Sequence, residues 1–433
     1  MATFVVAYLA WKVTESPSQS VQFAFNGLSV GAVYALLAMG FTLVYSTVWF
    51  FDLYYGAAAA LGAYGVFYLR SKEAIGGLYQ VQNPVVNALF AAVVAGVVAW
   101  ALYEILWPRL RDRVSQRRMY GIAGAAGAAA GVYAGFVFTF TDNLHVLFGP
   151  LAGLAIGAVA GLAVREALVR LTGNDSRLST YVPIAVGLAG GIVAAAYFAG
   201  APETKLYLSW AVSCLLAGCV GLGLYRGLYV TLRQRARSPL VMLVASMGIL
   251  LAISAAITIV FESAPRPLPD AFGSEPLKLG GGNIKGFNFF TVGVSLVGFT
   301  GLLWLLQRTS FGRTVRAIGD DEDVSKVVGI NTTVVIAIVF FIGAVFAAMA
   351  GILSGHDTAI QPRMGLLLLL KGWIASVVGG IGNLYGALIG GFALGMVEQF
   401  GIWDLAGEWK DVISFVVLIL FLSFWPRGLL PRK

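Results

Sequence analysis

Charge is scarce in this chain: 12% of its 433 residues are Asp, Glu, Lys or Arg, against roughly 25% in ordinary globular domains. A water-facing surface for 45.8 kDa needs more than that, so a soluble enzyme and a disordered linker are both disfavoured. Cysteine and histidine number two each, which excludes a disulfide framework. Cys214 and Cys219 match neither a redox nor a zinc spacing and read as small core residues. His145 and His356 stand alone in loops with no second ligand near either, so no metal site is expected. The chain has no Gly-Lys-Ser/Thr phosphate-binding loop, and so is not expected to hydrolyse ATP itself. It also offers no Ser-His-Asp, Cys-His or paired-carboxylate arrangement, so neither catalytic residues nor a cofactor are expected.

What is abundant is apolar surface and glycine. Hydrophobic residues make up 59% of the chain, the mean hydropathy is +0.83, and there are 54 glycines. Apolar runs long enough to span a bilayer recur along its whole length, at 23–45, 54–69, 85–107, 120–140, 146–163, 182–198, 206–225, 240–261, 287–306 and 334–353. Two glycine-rich segments follow at 366–381 and 384–400, either as two crossings or as a re-entrant hairpin, and a last run lies at 412–425. The fold class expected is therefore all-α: a polytopic transmembrane helix bundle of roughly 11–13 membrane segments. Residues 21–433 form a single membrane domain on this reading, with no polar stretch long enough for a soluble one. Residues 1–20 hold an apolar run too short to span and without a basic n-region, so they read as an interfacial or disordered segment.

The basic residues give an orientation. Arg109, Arg111, Arg113, Arg117 and Arg118, then Arg165, Arg170 and Arg177, then Arg226, Arg233, Arg235 and Arg237 fall in one set of alternating loops. Arg308, Arg313, Arg316 and Lys326, and finally Arg427, Arg432 and Lys433, continue that set, while the opposite loops hold far fewer. Basic loops are retained on the cytoplasmic side, which puts the N-terminus outside and the C-terminus inside. The net charge of +8 is then mostly a topology signal, and no nucleic-acid partner is expected.

Several features stand out against this background. The segment 312–331, GRTVRAIGDDEDVSKVVGIN, is too polar to cross a bilayer. Gly312 and Gly319 punctuate one short helical stretch, and Asp320, Asp321, Glu322 and Asp323 load the first turn of a second. That second helix would place Val324, Val327 and Val328 on one face; the alternative is a solvated loop whose charges only set topology. Gly149, Gly153, Gly157 and Gly161, and likewise Gly382, Gly386 and Gly390, recur every four residues as helix-packing stripes. Ionisable and polar groups within apolar segments are costly and mark pathways. Lys371 and Glu398 are placed to meet across the 366–400 hairpin, or else each snorkels to an interface. Asn26, Tyr34, Asp52 and Tyr55 complete the candidate pathway residues, Asp52 also being placed for a capping role.

The ordered set of motifs resembles a known family, the integral-membrane subunits of ABC importers for branched-chain amino acids and related amides. It runs from NGLSVGAVYALLAMGFTLVYSTVWFFDLYYGAAAALGAY at 26–64, through RSPLVMLVASMGILLAIS at 237–254 and the 312–331 loop, to IQPRMG at 360–365. It continues with KGWIASVVGGIGNLYGALIGG at 371–391 and EWKDVISFVVLILFLSFWPRGLL at 408–430. Two departures are visible. Asp52, Leu53, Tyr54, Tyr55 and Gly56 stand where the family usually has Asn-Phe-Ala-His-Gly, and 114–206 looks like an insertion of extra helices. The resemblance implies a permease subunit in the cytoplasmic (inner) membrane that works by ATP-driven alternating access. Its implied partners are ATP-binding subunits, a second homologous permease subunit, an external solute-binding protein and the lipid bilayer. It also implies that 308–331 is a cytoplasmic coupling loop, with Gly312, Arg313, Arg316, Asp321, Asp323, Gly329 and Asn331 as the ATPase-facing residues. Two other classes stay open on sequence: an ion-coupled secondary transporter and a non-transporting structural membrane subunit.

Overall fold

The computed structural model describes residues 12, 14–70, 74–75, 79–80, 84–110, 114–139, 157, 161, 164, 177–200, 205–235, 239–268, 276–279, 282–425 and 428–430. The chain is a helix bundle. In order come α1 (Pro17–Val48), α2 (Tyr54–Arg70), α3 (Pro84–Leu110), α4 (Gln116–Thr139), α5 (Arg177–Gly200) and α6 (Lys205–Leu224). A π turn at Tyr225–Tyr229 leads from α6 into α7 (Val230–Arg235), followed by α8 (Pro239–Phe261). A two-stranded antiparallel hairpin, β1 (Pro276–Leu279) and β2 (Gly282–Lys285), pairs Leu277 with Ile284 ahead of α9 (Gly286–Arg308). Then come α10 (Ser310–Asp320), α11 (Glu322–Val327), α12 (Thr332–Asp357), α13 (Met364–Gly379), α14 (Leu384–Gly401) and α15 (Trp409–Phe424).

Contacts divide the chain into two compact units, residues 1–67, 73–79 and 213–433 in the first and 68–72 and 80–212 in the second. The 114–206 stretch falls in the second. There α3 packs on α4, with Gly127 and Gly131 set directly against Ala91, Ala95 and Ala99. Gly157 and Gly161 lie flush on the backbone of Pro183 and Gly187, so this half of the first glycine stripe packs helices within the chain. Gly149 and Gly153 lie outside the described residues.

The first unit is built around α1. Proline suits the first helical position, where its missing N–H costs nothing, and Pro17 opens the helix earlier than the apolar run at 23 suggests. A helix that is apolar all round belongs in an interior, and α1 is buried almost continuously from Gly31 to Val44. It packs against α9, α10, α12, α13 and α14. Its seam with α14 is backbone on backbone: Gly27 and Gly31 face Gly395 and Met396, and Ala35 faces Gly391. Without a hydrophobic force between helices in lipid, such small-residue seams supply the dispersion contacts that hold them together.

Among the described residues, six helices are long and apolar enough to cross a membrane, or up to seven if α13 and α14, which meet at a 118° bend, form one broken span. The larger number expected from sequence also included α2 and α15, of 17 and 16 residues, α4 and α5, which are not among the candidate spans and of which only Val182–Val193 counts as a shorter apolar helix, and the 146–163 run, which is mostly outside the described residues. One glycine assignment changes. Gly382 is not on the α14 stripe but in the turn before it, at φ 88°, where a side chain would strain the backbone. Gly386 and Gly390 are on α14 and press against Gly379 and Ala375 of α13, closing the bend.

Candidate coupling loop and buried ionic cluster

The polar 308–331 segment folds into two short helices at one end of the first unit. Thr309 caps α10, its hydroxyl oxygen accepting from the Gly312 amide at 3.2 Å. Gly312 lies so close to the Leu306 backbone that any Cβ would overlap it. Arg316 reaches back to donate to the Leu306 carbonyl at 2.5 Å, which folds α10 tightly onto the end of α9. One face of α10, Gly312, Val315, Ile318 and Gly319, is buried, and Arg313 is exposed on the other.

The acidic run then loads α11. Asp321 is its N-cap and accepts from the Asp323 and Val324 amides, each at 2.9 Å. Carboxylates at this position satisfy otherwise orphaned N–H groups and complement the helix dipole. Lys326 closes on Asp323 at 3.0 Å and Glu322 at 3.1 Å. These bonds, first to Asp323 and then to Glu322, hold its ammonium above the ordinary lysine range. Gly329 follows at φ 87°, the left-handed conformation that ends helices. Asn331 caps α12 by accepting from the Val334 amide at 3.3 Å. Five of the expected ATPase-facing residues, Gly312, Arg316, Asp321, Gly329 and Asn331, thus make contacts that shape the loop itself. Among the exposed charges of the loop lies an apolar patch: Val324, Val327 and Val328 are all exposed, Val327 at 87%.

Three of the candidate pathway residues come together deeper in the unit. Glu398, with 0% exposure, sits near the end of α14 and takes partners from three other helices. The Tyr34 hydroxyl of α1 donates to its Oε2 at 2.7 Å. Lys371 Nζ of α13 lies 3.3 Å from its Oε1, and the Ser414 hydroxyl of α15 donates to the same oxygen. Lys371 is shared with Asp411 at 2.9 Å and lies 5.5 Å from the centre of the Tyr34 ring. The alternative of two separately snorkelling side chains does not occur. Asp411 and Ser414 are the members that sequence reading missed.

The other three candidates lie apart from this cluster. The Asn26 side-chain oxygen accepts from the side-chain NH2 of Asn288 on α9 at 2.9 Å. Tyr55 is buried and donates to the Gly40 carbonyl at 3.0 Å, filling the space left by Gly343. Asp52 is buried in the link between α1 and α2. Its Oδ1 accepts from the Tyr229 hydroxyl at 2.7 Å and the Tyr54 amide at 3.0 Å.

With this geometry in place, comparison with known proteins is decisive. A family model for the branched-chain amino acid transport system permease component matches residues 182–422, more than half of the chain. The chain belongs to this permease family. The matched stretch contains the α10–α11 loop, both arms of the α13–α14 bend, and Asp411 and Ser414. Among its relatives is the high-affinity branched-chain amino acid transport system permease protein BraD of Pseudomonas aeruginosa, 33% identical over 229 residues, which are 52% of this chain and 74% of that one. The protein LivH of Escherichia coli, with the same descriptive name, is 33% identical over 226 residues, 50% of this chain and 72% of that one. More distant is the autoinducer 2 import system permease protein LsrC of Photorhabdus laumondii, 28% identical over 292 residues, 66% of this chain and 73% of that one. No solved structure matches. As a permease-family chain with several membrane-length apolar helices, the protein is an integral membrane transport subunit.

Proposed function

We propose that the chain is the membrane subunit of an ATP-driven importer that moves branched-chain amino acids or related small amides by alternating access. Separate ATP-binding subunits supply the energy, a second homologous permease subunit completes the pathway, and an external solute-binding protein delivers the substrate. The substrate class follows from the names of the BraD and LivH relatives. The single observation that carries the ATPase reading is the exposed valine surface of α11, presented by a loop whose other face is clamped onto α9. A water-exposed apolar surface on a short, firmly mounted loop is the form of a protein docking site. The basic loops support an orientation with this loop and the C-terminus in the cytoplasm.

In the same reading, the Tyr34, Glu398, Lys371, Asp411 and Ser414 cluster closes the pathway in one of its two states. It ties three helices to the buried carboxylate of a fourth, and sliding any of them breaks a charge-assisted bond. Purification from the native membrane followed by reconstitution tests the proposal: an ATPase subunit is expected to co-purify, and leucine uptake to require ATP. Uptake that survives ATP removal and collapses with the ion gradient would replace this reading with a secondary transporter.

A further inference from the structure

The loop that carries α11 is joined to the ionic cluster through Trp49. Trp49 is the first residue beyond α1 and has φ 57°, a left-handed backbone that is uncommon outside glycine and is held only where its surroundings fix it. That conformation turns the indole onto α10, where its Nε1–H donates to the Gly319 carbonyl at 2.9 Å. Gly319 lies in the last turn of α10, where carbonyls have no partner in their own helix. The joint is close as well as bonded, because any Cβ on Gly319 would overlap the Ser46 carbonyl of α1. The last turns of the two helices are thereby fastened together.

Two routes lead inward from this joint. Along α1, Tyr34 and its bond to Glu398 lie about 22 Å from Trp49 at 1.5 Å per residue. Through side chains, the Trp49 ring meets Tyr45 edge-on at 5.7 Å, and Tyr45 meets Phe51 at 5.0 Å. Phe51 then meets Trp373 edge-on at 6.0 Å. Trp373 lies on α13, the helix that holds Lys371. Displacement of α10 would therefore act on both partners of the Lys371–Glu398 pair.

We infer that Trp49 is a positioning residue that transmits movement of the α10–α11 loop to α1 and, through Tyr45 and Phe51, to α13. The inference rests on the ATP-driven reading above. A tryptophan at a helix end also serves as an interfacial anchor, and that role needs the ring but not its bond to Gly319. Trp49→Phe separates the two, since it keeps an aromatic ring, though a smaller one, and removes the donor.

The test uses the whole importer in proteoliposomes with its binding protein, and reads labelled leucine moved per ATP hydrolysed. For Trp49→Phe, ATPase association and hydrolysis are expected to persist while that ratio falls about three- to tenfold, the worth of one hydrogen bond. Tyr45→Leu, which breaks the ring series but leaves the Trp49–Gly319 bond, is expected to lower it too. The double variant should fall little below the lower single, because the Tyr45 series starts from the joint that Trp49→Phe already loosens. A wild-type ratio in either inserted variant, or strictly additive losses in the double, overturns the inference. So does loss of ATPase association in Trp49→Phe, which would make the residue part of a docking surface. If the wild-type protein brings no ATPase, the functional reading fails instead.

Discussion

Lys371 Nζ lies 3.3 Å from Glu398 Oε1, joining the two arms of a bent helix pair inside an apolar bundle. The two residues are not equivalent. Lys371 keeps a second carboxylate, Asp411, at 2.9 Å if Glu398 is neutralised, whereas Glu398 has no other cation within ion-pair distance among the described residues. Breaking a buried pair by removing one partner costs about 3–5 kcal/mol when the survivor is left uncompensated. Lys371→Met is therefore expected to destabilise by about that amount, and Glu398→Gln by clearly less. Thermal melting of the two purified variants checks the asymmetry. The charge exchange Lys371→Glu with Glu398→Lys is expected to rescue uptake only partly, since Glu at 371 would face Asp411; full rescue would show that Asp411 does not hold Lys371.

The α11 surface gives the second prediction. Val327 is 87% exposed, so Val327→Asp should leave folding and insertion unchanged. If ATPase docking buries this valine, losing its apolar contribution of about 1.5–3 kcal/mol weakens association roughly ten- to hundredfold. Co-purification of the ATPase with wild-type and variant protein at equal membrane levels measures this. Equal recovery would remove the valine surface from the interface.

Much of this arrangement is legible in the sequence, for reasons that differ by residue. Lys371 and Glu398 stand out because charge is rare in apolar segments, but sequence left pairing across a hairpin and separate snorkelling both open, and only the 118° bend brings the two together. Asp411 does not stand out, because an acid in the first turn of α15 reads as an ordinary complement to the helix dipole. The two helices of the loop are signalled by Gly312, the acidic run and the valine spacing. The distinction between inward caps and outward contacts is not, since Asp321 and Asp323 look alike until one is seen to hold two backbone amides. Trp49 carries no signal apart from its place at a helix end. The α1–α14 seam is hidden for another reason: Gly27, Gly31, Gly391 and Gly395 lie at opposite ends of the chain, and spacing shows a stripe without showing what it faces.

The cap at Asp321 separates shape from charge. Asp321→Asn keeps an acceptor for the Asp323 and Val324 amides, whereas Asp321→Ala removes it and costs about 0.5–2 kcal/mol of local helix stability. Amide exchange across 322–327 is expected to speed up in the Ala variant and stay near wild type in Asn. ATPase association should follow the same order if the loop must be preformed. An Asn variant that binds as poorly as Ala would instead assign the Asp321 charge a direct role at the interface.

The small-residue seam between α1 and α14 makes the last prediction, and it comes with an internal control. At Gly395 a Cβ would overlap the backbone of Gly31, and at Gly391 that of Ala35, so neither neighbour can turn aside as a long side chain could. The helices must separate, which lengthens the Tyr34–Glu398 bond that crosses the same seam. Overpacking of this kind costs about 1–3 kcal/mol. Gly121 on α4 has no atom near its Cβ position, and there Ala should be neutral or slightly stabilising, since it is the better helix former. Gly391→Ala and Gly395→Ala are therefore expected to lower the melting temperature and to depress uptake beyond the loss of folded protein, while Gly121→Ala does neither. If all three melt like the wild type, α1 and α14 are not in backbone contact.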